Sequence, residues 1–253
     1  MPVRFRVRTT RYCLGLMTAA LLVSAPLYAH AGVEATHQNI KELIPKIISA
    51  YGGEDAVRRT KKVYATGDIS ASMRNDKGTY TRYLERDRKL RVEMTYASGS
   101  SELRILNGKA GWRRIDKTPL MEVREYQLLS MVYQYKQLDM PYGLLTGQYN
   151  VTDEGSNTIN GAEVEVLDVE DSEGPPMKIY VDMKNFHIIR TEGYFFVKGN
   201  LISLVANFWD FKKVEGLLLP FKITNSSSGQ HIGETIIKKY KINPAMDESL
   251  FRP

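Results

Sequence analysis

Three histidines follow the first thirty-one residues, His37, His187 and His231. None has a partner at the spacing by which metal ligands meet on one helix face, as in H-E-x-x-H, and a structural role is expected for each. The densest group of carboxylates is Glu163, Glu165, Asp168, Glu170, Asp171 and Glu173. Calcium or paired-carboxylate chemistry would draw on such a group. Glu163 and Glu165, however, alternate with Val164 and Val166, as on the solvated face of a strand. The chain has no G-x-S-x-G nucleophile elbow, no G-x-x-x-x-G-K-[ST] phosphate loop and no G-x-G-x-x-G dinucleotide turn. Gly108-Lys109 belongs to a hairpin turn. No catalytic residue, metal site or cofactor is therefore expected, and the chain reads as a binding protein rather than an enzyme.

The elements that would position a binding site are mostly strands. Ile40, Leu43, Ile44, Ile47, Ile48 and Tyr51 form the stripe of an amphipathic helix over residues 36–51, with Pro45 as a potential kink and Gly52-Gly53 as its stop. A short helix follows from Glu54 to about Thr60, and the apolar period then becomes two. In Lys89–Ala97, Leu90, Val92, Met94 and Tyr96 share one face, while Arg91, Glu93 and Thr95 share the other. Eleven further strands are expected between Val63 and Ile242. Turn signals such as Asn75-Asp-Lys-Gly78, Asn107-Gly-Lys109 and Ser226-Ser-Ser-Gly229 separate them. These connections are too short for parallel crossovers, so the sheet is antiparallel. The stretch from Met121 to Leu145 interrupts the strands. It reads as a helix that is apolar nearly all round and must be enclosed by protein or ligand.

Arg4, Arg6, Arg8 and Arg11 precede an apolar run from Leu14 to Leu27, and Ala29-His30-Ala31 follows. That order predicts a secretory signal peptide over residues 1–31, cleaved after Ala31, and a periplasmic domain over residues 32–253. The run falls short of the roughly 20 residues a spanning helix needs. Removing it takes four arginines and no acid from a chain of net charge +6, leaving 222 residues at +2. A nearly neutral domain lacks the clustered cations of a nucleic-acid partner. Cys13, the sole cysteine, goes with the signal, so no disulfide or thiolate is expected afterwards.

The most specific pattern lies in the C-terminal half: Ile179-Tyr-Val-Asp182, Phe186-His-Ile-Ile-Arg190-Thr-Glu192 and Leu219-Pro-Phe-Lys-Ile223, then Ile236 through Ile242-Asn243-Pro244, Asp247, Leu250-Phe251 and Pro253. Together with the leading helix and Tyr51-Gly-Gly-Glu-Asp-Ala56, it resembles the superfamily of periplasmic outer-membrane lipoprotein-sorting proteins, the LolA/LolB-like group, over residues 36–253. The resemblance implies an α+β, mainly antiparallel β architecture: an unclosed half-barrel wrapped around an apolar cavity and covered by helices. It implies a monomeric carrier that holds acyl chains of a lipoprotein or lipid, meeting an inner-membrane donor and an outer-membrane acceptor transiently. Without a cysteine at the start of the processed chain, the resemblance is to the soluble carrier and not to the anchored acceptor. A periplasmic sensor or assembly factor using the same fold to bind a protein partner is the alternative.

In such a container the walls would include Leu90, Val92, Met94 and Tyr96 on one strand, Leu103 and Ile105 on another, and Trp112. The lid would present Leu128, Met131, Val132 and Tyr135. Later strands would add Phe195, Leu204 and Phe208, or else the opposite face, Val205, Asn207 and Trp209. Methionine and aromatic side chains suit a cavity that accepts varied chains, because they repack at low cost.

Overall fold

The computed structural model describes residues 40–253. The expected signal segment and the first residues of the leading helix lie outside them. Helix α1 (Ile40–Ala50) buries Leu43, Ile47 and Ile48, the stripe its spacing demands. It ends at Gly52, whose φ of 115° and close approach to the Gly216 carbonyl leave no room for a side chain. Helix α2 (Gly53–Arg59) follows at once.

From there the chain is almost wholly strand. Successive hairpins give β1 (Lys62–Ala71), β2 (Asp76–Glu85), β3 (Lys89–Tyr96), β4 (Ser101–Asn107), β5 (Ala110–Ile115) and β6 (Met121–Val123). Helix α3 (Glu125–Thr146) then crosses over, and a second run of hairpins gives β7 (Asn150–Ile159), β8 (Ala162–Glu170), β9 (Met177–Asp182), β10 (Ile188–Val197), β11 (Asn200–Val214), β12 (Leu217–Ser227) and β13 (Gln230–Ile242). A 3-10 turn, Glu248–Phe251, closes the chain.

All thirteen strands form one antiparallel sheet in the order β6-β5-β4-β3-β2-β1-β13-β12-β11-β10-β9-β8-β7. Each meander is built from neighbours in sequence, and the first strand pairs with the last to join them. Because β6 and β7 are both edges, the sheet is unclosed, as the sequence leads one to expect. Helix α3 lies on the inner face, against β3, β4 and β5 on one flank and β10 on the other.

Two apolar clusters form on either side of that helix. Tyr133, Met140 and Leu144 join α1 and the inner residues of β8, β9 and β10. Met131, Val132 and Tyr135 join Leu84, Leu90, Val92 and Met94. A bulge where Thr66 and Gly67 face β13 shifts the phase of that strand, so that Ile237 and Tyr240 both point inward although three residues apart.

Helix α3 departs from the expected all-round apolar surface. Lys136 and Asp139 are 1% and 4% exposed. Lys136 pairs with Asp171 at 3.5 Å, and Asp139 with Arg86 of the β2–β3 turn at 3.2 Å. The helix is enclosed, but two charges are enclosed with it, each beside an opposite charge.

Candidate functional site

Alternation along β2 sends Tyr80, Arg82 and Leu84 inward, and their β3 partners are Met94, Val92 and Leu90. Antiparallel partners share a face, so the next rank on β4 is Glu102, Arg104 and Leu106. On β5 it is Arg113 and Gly111. These strands, helix α3 and the inner residues of β11, β12 and β13 line an open-mouthed cavity of about 440 Å³. Met94, Tyr96, Met131, Tyr133, Leu204 and Ile223 supply apolar wall, and Arg82, Glu102, Arg104, Arg113 and Glu234 supply charge. A smaller cavity of about 60 Å³ lies beyond, among Val57, Val63, Leu84, Met140, Phe208 and Leu217. Arg82, Gln137 and Leu138 line both, and so form the constriction between them.

Of the residues expected in the walls, Met94, Tyr96, Met131 and Leu204 line the larger cavity, as does Val205 of the alternative face, and Phe208 lines the smaller. Val92, Val132 and Tyr135 are packed core next to it, and partly buried Leu128 joins them, above Gly111. Phe195 stacks edge-on against Tyr126 and Tyr133, at 5.4 and 5.7 Å between ring centroids. On β11 the inner face is that of Leu204 and Phe208. Asn207 and Trp209 lie on the other face, where Arg190 Nε donates to Asn207 and Trp209 Nε1 to Thr224.

Leu103, Ile105 and Trp112 do not join this set. Leu103 and Ile105 pair with Glu93 and Arg91, and Ile105 pairs with Trp112, all on the outer face. The C-terminal turn lies there: Arg91 donates to the Leu250 carbonyl and Asn107 to the Phe251 carbonyl. Strand β4 is buried on both faces, so its apolar residues do not alternate and sequence parity cannot assign them.

Glu102 is held by two guanidinium groups, Arg104 Nε and Arg113 Nε, each 2.7 Å from the same carboxylate oxygen. Burial works against its charge, but the two arginines keep its pKa below the usual glutamate range. Gln134 Oε1 is buried in the cavity wall with no hydrogen-bond partner in the protein. Tyr133 spans the gap between helix and sheet, its hydroxyl donating to the Leu204 carbonyl at 2.7 Å. None of the charged wall residues had been expected. The alternation of Tyr80, Arg82 and Leu84 was the available signal, obscured by Tyr83 on the other face.

The acidic stretch of β8 also departs from expectation at one place. Glu163 is exposed, but Glu165 is only 2% exposed and accepts a hydrogen bond from Ser156. His187 packs between the rings of Tyr51 and Phe211, and burial lowers its pKa.

No protein-family model and no curated protein matches the sequence. Solved structures do. A LolA superfamily protein from Nitrosomonas europaea superposes with a TM-score of 0.56 at 15% identity, covering 84% of this chain and 97% of that one. An outer-membrane lipoprotein-sorting protein domain from Vibrio parahaemolyticus gives 0.54 at 10% identity, covering 85% and 97%. A DUF1329 family protein from Desulfovibrio piger gives 0.55 at 12%, covering 84% and 97%. At these identities the likeness is one of backbone. With its single unclosed sheet, its inner helix and nearly full-length superposition on these structures, the described chain has the fold of the LolA superfamily.

Proposed function

We propose that this protein is a carrier that takes acyl chains of a lipid or lipoprotein into the cavity beneath α3 and shuttles them towards the outer membrane. The observation that carries the reading is the cavity itself. About 440 Å³ lies between a curved sheet and a helix that supplies Met131, Tyr133 and Leu138 to its wall, within the range of about 300–1,000 Å³ typical of small-molecule sites. Moving an acyl chain from water into such a space is worth about 0.8 kcal/mol per methylene, so capture requires no reactive group. The mechanism is capture, shielding and release, with no chemical step.

In this reading residues 1–31 are a signal peptide removed after Ala31, and residues 32–253 work in the periplasm as a monomer. Donor and acceptor meet them transiently. Met94, Tyr96, Met131 and Leu204 touch the chain, with Phe208 at its deep end. Val92, Leu128, Val132, Tyr135 and Phe195 support that wall from behind.

The test is gentle-ionisation mass spectrometry of protein purified from the exported fraction, followed by solvent extraction. A lipid-sized adduct that extracts as an acylated molecule is expected. A clean protein mass, with no uptake of added fluorescent fatty acid, would sink the carrier reading in favour of a protein partner. Met131→Asp places a carboxylate in the wall and should weaken fatty-acid uptake at least about tenfold. Unchanged uptake by a folded variant, judged by near-ultraviolet circular dichroism, would remove Met131 from the site.

A further inference from the structure

Arg82 stands at the middle of β2 and is 3% exposed. Its rank across the inner face runs Tyr240, Ala65, Arg82, Val92, Arg104 and Arg113. Arg104 and Arg113 share the carboxylate of Glu102. Arg82 differs, because among the described residues no carboxylate lies within 4.0 Å of its guanidinium. Its polar neighbours are the neutral hydroxyls of Tyr80 and Tyr240, both hydrogen-bonded to it, and the Tyr240 ring centroid lies 5.8 Å from the guanidinium carbon. Tyr240 spends its own proton on the Pro220 carbonyl at 2.6 Å. The Nε of Arg82 is buried with no hydrogen-bond partner in the protein.

A buried guanidinium without a counter-charge is an unusual thing for a fold to retain, since taking an ion out of water is unfavourable until an opposite charge meets it. Its place is also particular. Arg82 lines both cavities, so it is presented to whatever fills them. The wall around it carries surplus positive charge. Arg74, Arg82, Arg104 and Arg113 face Glu102 and Glu234, and Glu234 is already paired with Lys222 at 2.8 Å.

We propose that the cavity selects amphiphiles with an anionic head group, a carboxylate or a phosphomonoester, and that Arg82 takes that head group while the chain lies along Met94, Met131 and Leu204. Guanidinium groups match both anions in a bidentate manner, and the uncommitted Nε supplies one of the two donors. The proposal rests on the carrier reading and narrows it, because a purely greasy cavity would not distinguish head groups.

Three sixteen-carbon probes separate the possibilities: hexadecanoate, hexadecyl phosphate and hexadecanol, each titrated against the full chain as isolated and delipidated. At least one anion should bind about tenfold or more tightly than the alcohol, and which anion does so identifies the head group. In Arg82→Met the ratio of anion to alcohol affinity should fall to about one, and Arg82→Lys should keep part of it. Equal affinity of the wild-type protein for all three probes would overturn the anion proposal and leave the carrier reading intact. Binding of none of them would overturn the carrier reading. A wild-type preference that survives in folded Arg82→Met would move the anion contact elsewhere and also overturn the proposal. The wild-type comparison decides the main point whether or not the variants fold.

Discussion

Asp139 is the residue on which the stability of the helix–sheet contact turns with pH. It accepts from Arg86 Nε at 3.2 Å and from the Tyr135 hydroxyl at 3.3 Å, and Arg86 in turn lies 3.4 Å over the Tyr142 ring. Burial pushes the Asp139 carboxyl up to about 6, against the opposing pull of Arg86. A carboxyl whose pKa is raised on folding adds stability below its unfolded pKa, and that contribution fades as pH rises through the folded value. Lowering the pH from 7 to 5 should therefore add about 1 kcal/mol from this residue, read as a higher urea midpoint. In Asp139→Asn that part of the pH dependence should vanish, and an unaltered pH profile would refute the assignment. The buried charges of α3 show where sequence reading stops. Lys136 and Asp139 sit in a segment whose other inner positions are Met131, Val132, Tyr135 and Met140, and their partners Asp171 and Arg86 are remote in sequence. A helix that faces protein on most sides can bury a charge wherever a distant partner arrives, and periodicity carries no record of that partner.

At the scale of the element, α3 docks by shape as well as by charge. Gly143 lies in its last turns, where the Tyr149 ring passes so close that a Cβ would fall 2.0 Å from Cε2. Alanine at a helical glycine normally stabilises by up to about 1 kcal/mol. Here Gly143→Ala should instead destabilise by about 1–3 kcal/mol, the range of overpacked cores, measured as a lower midpoint of chemical unfolding. A midpoint equal to or above wild type would mean that Tyr149 moves aside freely. The elements themselves were largely legible. Period-two alternation and turn residues locate twelve of the strands, because half-buried antiparallel strands write their faces into the sequence; β7 runs to Ile159, five residues past its expected end at Glu154. The three residues of β6 are too few to show a period, and the sequence alone merges them with the start of the helix. Strand β4 was found, but its inward face was not, for the reason its two buried faces give. The site was legible to the same degree: Met94 and Tyr96 lie on a strand with a clear inner face and Met131 on a helix whose apolar surface required enclosure, whereas Arg82 and Gln134 are polar residues that no search for a greasy wall would select.

For the molecule as a whole, the decisive pairing is β1 with β13. Without it the sheet is two separate meanders, β1–β6 and β7–β13, linked by α3 and by the C-terminal turn. A chain ending at Ser228 should lose its single sharp thermal transition and retain only broad, non-cooperative unfolding by circular dichroism. A sharp transition in that truncated chain would show that each meander folds alone. The C-terminal turn adds to the same junction, since Phe251 is 1% exposed and its carbonyl accepts from Asn107 of β4.

That pairing also sets a clock. Strand β1, beside the middle of the sheet, is the first strand to be made, and its second partner, β13, is the last, so the native arrangement is unreachable until synthesis has almost finished. Until then β1 has one neighbour and the cavity lacks the wall that β13 provides. Contacts this distant in sequence form slowly. For a chain proposed to be exported, delay of this kind has a use: a polypeptide whose last strand is missing stays threadable.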